Sequence, residues 1–225
     1  MKIGLIIAIE RELQSFLQHG STIEEFMVNN RKVYKTNIYH HEIYAIESGY
    51  GIIDASSATQ LLITKFDVEL IVNFGVVGAL EPGYKVSDLF VVTKSCNYDF
   101  DVSPIDPVKK HQYTDYPDEY IPIDQELINF VKTINPDIKD AIAASGGKFI
   151  ETPEDKKWLN SLGCNICDME IAGISRVCNI CGIKCLSIKC ISDTFEGDGG
   201  DFNKNVIENA KHAFDMLLKV LEQLH

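Results

Sequence analysis

Two acids, Glu170 and Asp193, bracket the stretch whose residue types and spacing most suggest chemistry, DMEIAGISRVCNICGIKCLSIKCISD from Asp168 to Asp193. It reads as the end of a strand, a helix, a short turn and a second strand. Ile171, Ile174, Val177, Cys178 and Cys181 recur at three- and four-residue steps, with Gly182 as the stop. Ile183 to Ile191 is a nearly continuous β-branched and apolar run, as expected for a strand covered on both faces. A strand–helix–strand unit is normally a right-handed crossover. Its helix starts at the edge where the first strand ends, and its second strand returns to that edge. Glu170 and Asp193 are therefore expected to meet at a carboxyl edge, where open α/β sheets bind ligands. Each acid alone also fits a plainer role, Glu170 as a helix-dipole partner and Asp193 as a turn or cap residue.

The elements that must position these acids alternate along the chain. Lys2 to Ile9 reads as an apolar strand, with Glu10 and Glu12 at its carboxyl end and a helix through Leu13 and Phe16. Phe26 to Ser48 holds two or three antiparallel strands with Asn29-Asn30 as a hairpin turn. Ser48-Gly49-Tyr50-Gly51 turns into a helix running to about Lys65. Glu69 to Phe74 is a strand, and Gly75 to Leu80 reads as a glycine-containing loop whose backbone N–H groups could face a ligand. As a phosphate loop it is weak, lacking the lysine and the dinucleotide spacing. Strands at Leu89–Lys94 and Ala141–Lys148, an extended Tyr98–Val102, a polar loop over 104–122, and helices at Asp124–Ile134 and from Pro153 follow. Thr194 to Phe202 reads as an acidic, glycine-rich flap that fails the calcium-loop spacing. An amphipathic helix from Phe202 to His225 closes the chain. With no internal repeat or linker, the expectation over residues 1–225 is one three-layer α/β domain with a central mixed sheet.

Composition narrows the partners. The 21 Lys and Arg against 33 Asp and Glu give a net charge of −12, which argues against nucleic acid or an anionic membrane surface as partner. No apolar run approaches the roughly 20 residues that span a bilayer, and the start does not resemble a signal peptide, so the expected location is cytoplasmic. The seven cysteines are odd in number and lack a secretory context, which argues against a disulfide framework. Cys164-Asn-Ile-Cys167 and Cys178-Asn-Ile-Cys181 have zinc-ligand spacing. Because Cys178 and Cys181 fall on the apolar stripe of a helix, buried reduced thiols and no metal are expected.

Several stretches in order resemble one family, the nucleoside phosphorylases and nucleosidases of the purine/uridine phosphorylase type. They are MKIGLIIAIERE at the start, SGYG at 48–51, NFGVVGAL at 73–80, YDFDV at 98–102, GGKFI at 146–150, DMEIAGISRVC at 168–178 and IKCISD at 188–193. Within it the resemblance is closest to the branch of bacterial 5′-methylthioadenosine/S-adenosylhomocysteine nucleosidases. It implies a mixed, partly barrel-like sheet, a homodimer, a small nucleoside substrate of methionine salvage, and no cofactor. It makes Asp193 the acid that protonates or hydrogen-bonds N7 of adenine, and Glu12 the base that activates water. Glu170 would hold the ribose hydroxyls with Met169 against the sugar, and Phe149 and Ile150 would receive the base, with Ser192 beside Asp193. Ile9, Tyr50, Val102, Ile105 and Phe202 fall where the family builds its 5′-substituent pocket, one side of which often comes from a partner subunit.

The chemistry asks for these residue types on its own terms. Cleaving an N-glycosidic bond builds positive charge on the ribosyl ring and negative charge on the departing purine. An acid relieves the base while a separate carboxylate deprotonates water on the other face. The chain also departs from the pattern. Val76 stands where a Ser or Thr hydroxyl would help hold the water, Lys189 where Arg is common, and Tyr50 where an aliphatic residue is usual. Phosphorolysis is the rival reaction, but only Arg11, Arg31 and Arg176 are available to grip phosphate and Arg11 adjoins the repelling Glu12. A non-catalytic nucleoside-binding protein is the rival of another class.

Overall fold

The computed structural model describes residues 1–19 and 22–225. A ten-stranded mixed sheet forms its centre. The first part of the chain builds one wing: β1 (Lys2–Ile7), α1 (Glu10–Leu17), β2 (Glu24–Val28), β3 (Arg31–Ile38) and β4 (His41–Glu47). Asn29 at the β2–β3 turn takes the left-handed conformation, φ 53°, that Asn tolerates in tight hairpins. β4 returns antiparallel to β3 and parallel to β1, and β1 lies parallel to β5 (Leu70–Ala79). α2 (Ile52–Phe66) joins β4 to β5.

Beyond β5 come β6 (Leu89–Asn97), the short β7 (Ile121–Pro122), α3 (Gln125–Ile134), β8 (Lys139–Ser145) and α4 (Pro153–Ser161). β9 (Ile166–Asp168), α5 (Ile171–Cys181), β10 (Lys184–Asp193) and α6 (Gly199–Gln223) complete the chain. The pairing path β10–β6–β8–β9–β5 closes because β10 also pairs with β5. Five strands thus form a small barrel, and β1, β4, β3 and β2 extend from β5 as an open sheet. α2 and α5 pack together and reach the sheet through β1, β4, β6, β8 and β10, while α6 packs on β5, β10 and α1. Helices therefore cover the sheet as layers; the main apolar cluster runs from Ile3 to Leu221, with smaller ones around Tyr98 and Leu159 and around Val76 and Val206.

Two expectations about the backbone need correcting. The Gly75–Leu80 segment is not a loop, since β5 runs unbroken through Ala79 with all ten residues buried. Its backbone groups enter ladders with β10 and, at Gly78 and Ala79, with β9, where buried N–H and C=O groups must find partners. The β9–α5–β10 unit is also not a parallel crossover. β9 is parallel to β8 and β8 to β6, but β6 is antiparallel to β10. What brings the ends of β9 and β10 together is Gly78 of β5, which pairs with Cys167 on one side and Asp193 on the other. Smaller differences follow from caps and turns. Tyr98 to Val102 is irregular rather than extended, and α6 begins at Gly199, capped by the Asp198 side chain.

Candidate active site

Glu12, Asp193 and Glu170 line one cavity that opens to solvent. Each arrives by a different local device. Glu12 sits in the first turn of α1, and its side chain turns inward so that Oε1 accepts from the Val76 N–H at 2.8 Å. Gly75 makes this approach possible, because a Cβ there would overlap the Glu12 carboxylate. Oε2 is buried and has no hydrogen-bond partner among the described residues. Burial raises the Glu12 pKa, opposed by the Lys189 charge and the Val76 N–H.

Asp193 ends β10, where the register with β5 shifts between Ile191 and Asp193. A strand normally alternates its faces, and such an irregularity re-aims a side chain, so Ser192 and Asp193 both line the cavity. The Ser192 hydroxyl donates to Asp193 Oδ1 at 2.8 Å, and the Lys156 ammonium stands 4.0 Å from Oδ2. Gly78 opposite is again indispensable: a Cβ would come within 2.8 Å of Asp193 Oδ2 and 3.0 Å of Cys167 Sγ. Burial raises the Asp193 pKa, the Ser192 hydroxyl and Lys156 oppose this, and the charges of Asp201 and Asp198 reinforce it.

Glu170 occupies the N-cap position of α5 without capping it. Asp168 does that work, accepting from the N–H groups of Glu170 and Ile171 and from the Ser145 hydroxyl. Glu170 is thereby free to accept from the Gly51 N–H at 2.8 Å, at the N-terminus of α2, where the helix dipole favours a carboxylate. Burial, with help from the Asp168 charge, pushes the Glu170 pKa up to about 7.

The rest of the wall is largely apolar. Ile9, Val76, Ile150 and Met169 line it, with Phe149 and Phe202 meeting edge to face at 5.5 Å and Tyr50 61% exposed at the rim. Three sequence candidates lie elsewhere in a single chain. Val102 and the 82%-exposed Ile105 sit on the 98–120 loop outside the cavity wall. Lys189 does not line the cavity either, since its ammonium is buried in an ion pair with Asp168 at 3.0 Å. Burial works against that charge, but Asp168, Glu12 and Glu170 together outweigh it and raise the Lys189 pKa. β10 carries Lys189 opposite Gly75 of β5, where it is 2% exposed.

Ala8, Val77, Gly78, Lys148, Cys167 and Asp168 line the cavity without having been singled out from the sequence as site residues. Asp168 was within reach, two positions before Glu170 in the same Asp-Met-Glu run. The cysteines of both C-x-x-C pairs are free, Cys164, Cys167 and Cys178 buried and Cys181 half-buried. Among the described residues no group of three or more His, Cys, Asp or Glu side chains could hold a metal ion, and no helix is long and apolar enough to cross a membrane.

Residues 2–224 match the model of the phosphorylase superfamily. A 5′-methylthioadenosine/S-adenosylhomocysteine nucleosidase of Buchnera aphidicola is 30% identical, with 99% of each chain covered. An aminodeoxyfutalosine nucleosidase of Campylobacter jejuni is 26% identical over the whole of both chains. Among solved structures, a Helicobacter pylori 5′-methylthioadenosine/S-adenosylhomocysteine nucleosidase in complex with a pyrrolopyrimidine–pyrrolidine compound superposes with a TM-score of 0.93. It is 26% identical, with 100% of this chain and 99% of that one covered.

Proposed function

The chain belongs to the phosphorylase superfamily, and we infer that it is a nucleosidase that hydrolyses the N-glycosidic bond of adenine nucleosides and releases free adenine. The observation that carries this reading is the convergence of three buried carboxyl groups on one apolar cavity. Asp193, whose pKa burial raises, gives its proton to N7 as the bond breaks. Glu12 takes the proton of the attacking water through Oε2, the oxygen without a donor among the described residues. Glu170 accepts from the ribose hydroxyls, which orients the sugar between them. Phe149, Ile150 and Met169 supply apolar surface for base and sugar, and Ile9, Tyr50 and Phe202 border the 5′-substituent.

Hydrolysis rather than phosphorolysis is favoured by where the arginines are spent. Arg31 is bonded to the Ser48 carbonyl and Asp54, and Arg176 to Asp115 while its guanidinium lies over Tyr113 and Tyr116. Arg11 lies over the Phe202 ring and donates to Asn203. None of the three points a free fork into the cavity. The substrates in this reading are 5′-methylthioadenosine and S-adenosylhomocysteine, with aminodeoxyfutalosine a further candidate because a relative of that name matches over its full length. A homodimer is part of the proposal: Tyr50 at the rim, Ile53 one residue into α2 and Ile105 are large, exposed apolar side chains that a second copy would cover.

The test is release of free base from methylthioadenosine, adenosylhomocysteine, aminodeoxyfutalosine, adenosine and inosine in phosphate-free buffer. Adenine and free sugar are the expected products. Turnover only with added phosphate would make the chain a phosphorylase, and binding without turnover would make it a nucleoside-binding protein. Sedimentation of the free protein as a monomer would remove the dimer.

A further inference from the structure

Lys156 of α4 is 0% exposed and does not itself line the cavity. Its ammonium donates to the carbonyl oxygens of Thr194 at 2.8 Å, Gly197 at 2.8 Å and Phe195 at 3.2 Å, all in the loop that follows Asp193. An ammonium has three N–H groups, so the carbonyls use its donors completely. Asp193 Oδ2, 4.0 Å away, meets it as a charge rather than through a hydrogen bond. Burying an ammonium costs several kcal/mol unless an opposite charge offsets it. Among the described residues Asp193 is the one carboxylate within that distance of Lys156.

We propose that Lys156 is a positioning residue for the reaction: it clamps the Thr194–Gly197 loop and so fixes a positive charge beside Asp193 that sets the pH range in which this acid holds its proton. The inference rests on the reading of Asp193 as the acid that protonates the base. Asp193 is faced by the Ser192 hydroxyl from β10, Lys156 from α4, Cys167 from β9, and Asp198 and Asp201 from the start of α6. Across the same cavity stand Glu12, Asp168, Glu170 and Lys148. Burial and the two α6 acids all favour the neutral carboxyl. A carboxyl held neutral far above the working pH is a poor proton donor, since an acid serves best with a pKa near the pH at which it works. The Lys156 charge pulls in the opposite direction. α4 also follows directly on Phe149 and Ile150, so one side chain ties the cavity wall there to the loop behind Asp193.

Two variants separate charge from clamp. Lys156→Met removes both, and Lys156→Gln removes the charge while keeping two N–H donors. For each, kcat/KM for methylthioadenosine is followed across pH, with circular dichroism and thermal unfolding as checks on folding. The alkaline limb is expected to move up by about 1–3 pH units in both, the size of effect an opposite charge at this range exerts. Lys156→Gln should keep a KM nearer to that of the unaltered protein than Lys156→Met does. An unmoved limb in a folded variant would overturn the proposal, and so would loss of folding in both variants, which would make the lysine a structural clamp alone. Asp193→Asn distinguishes this failure from failure of the underlying reading. If that variant is inactive while the limb stays put in the lysine variants, only the role of Lys156 falls. If it turns over normally, the acid assignment falls with it.

Discussion

Glu12 and Asp193 are both buried against bared glycine backbone of β5, but they are held in opposite ways. Asp193 has a hydroxyl on one oxygen and an ammonium near the other. Glu12 has the Val76 N–H on one oxygen and, among the described residues, no donor on the other. Lys189, the cation nearest in kind to a partner for Glu12, is tied to Asp168. The difference teaches that the acid side is organised by the chain itself, whereas the base side keeps an acceptor for something the ligand brings. A carboxylate meant to take a proton from water must not already be saturated by its own fold.

Removing each carboxyl group gives the largest expected effects and would break the comparison if they came out alike. Asp193→Asn should leave the fold intact and lower turnover by about 10²–10⁴-fold, the usual contribution of general acid–base catalysis. Turnover within a few-fold of the unaltered protein would remove Asp193 from the mechanism. Glu12→Gln should suppress hydrolysis comparably while an unreactive substrate analogue still binds, measured by calorimetry. Equal losses of binding and turnover would recast Glu12 as a structural residue.

The asymmetry can then be sharpened by giving the Glu12 side what it lacks. Val76→Ser places a hydroxyl next to Glu12, and kcat is expected to rise by about 5–10-fold, the worth of one added hydrogen bond of roughly 1 kcal/mol. No gain with adenine release as the readout would show that the water needs no second holder.

Stability should report the buried acids in a direction opposite to a salt-bridged carboxylate. With the Glu170 pKa pushed up to about 7, the folded state binds more protons than the unfolded state between the ordinary carboxylate range and neutrality. The contribution is therefore present at acid pH and lost as pH rises through about 7. Glu170→Gln should flatten that loss and raise the ligand-free unfolding midpoint at alkaline pH by about 2–4 °C, the shift that 1 kcal/mol produces in a chain of this size. A lowered midpoint would mean that the Gly51 N–H compensates the buried charge.

The smallest effect is expected at the rim. Tyr50 is largely exposed, so its phenol is only partly committed to the cavity. Its hydroxyl can pair with a 5′-hydroxyl and barely with a methylthio group. Tyr50→Ile should shift the kcat/KM ratio of methylthioadenosine over adenosine upward by about 5–10-fold, toward the lower end of what one contact in an apolar slot discriminates. An unchanged ratio would place the phenol outside the 5′ site.

What the sequence determined by itself was local. Periodicity marked α5, Asn29-Asn30 marked its hairpin, and the acids at strand and helix ends stood out as chemistry. The ordered motifs then named the family. Tertiary structure alone decided how the acids meet. The crossover argument placed Glu170 near Asp193 for the wrong reason, because strand direction depends on partners distant in sequence, and here Gly78 of β5 does the joining. It decided that Gly75 and Gly78 make room for carboxylates, which only the packing of α1 and β10 against β5 reveals. It also turned Lys156, one charge among several in Glu154-Asp155-Lys156-Lys157, into the buried neighbour of Asp193. A charged first helical turn looks the same in sequence whether it faces water or a loop. Which it faces depends on what the rest of the chain packs against it.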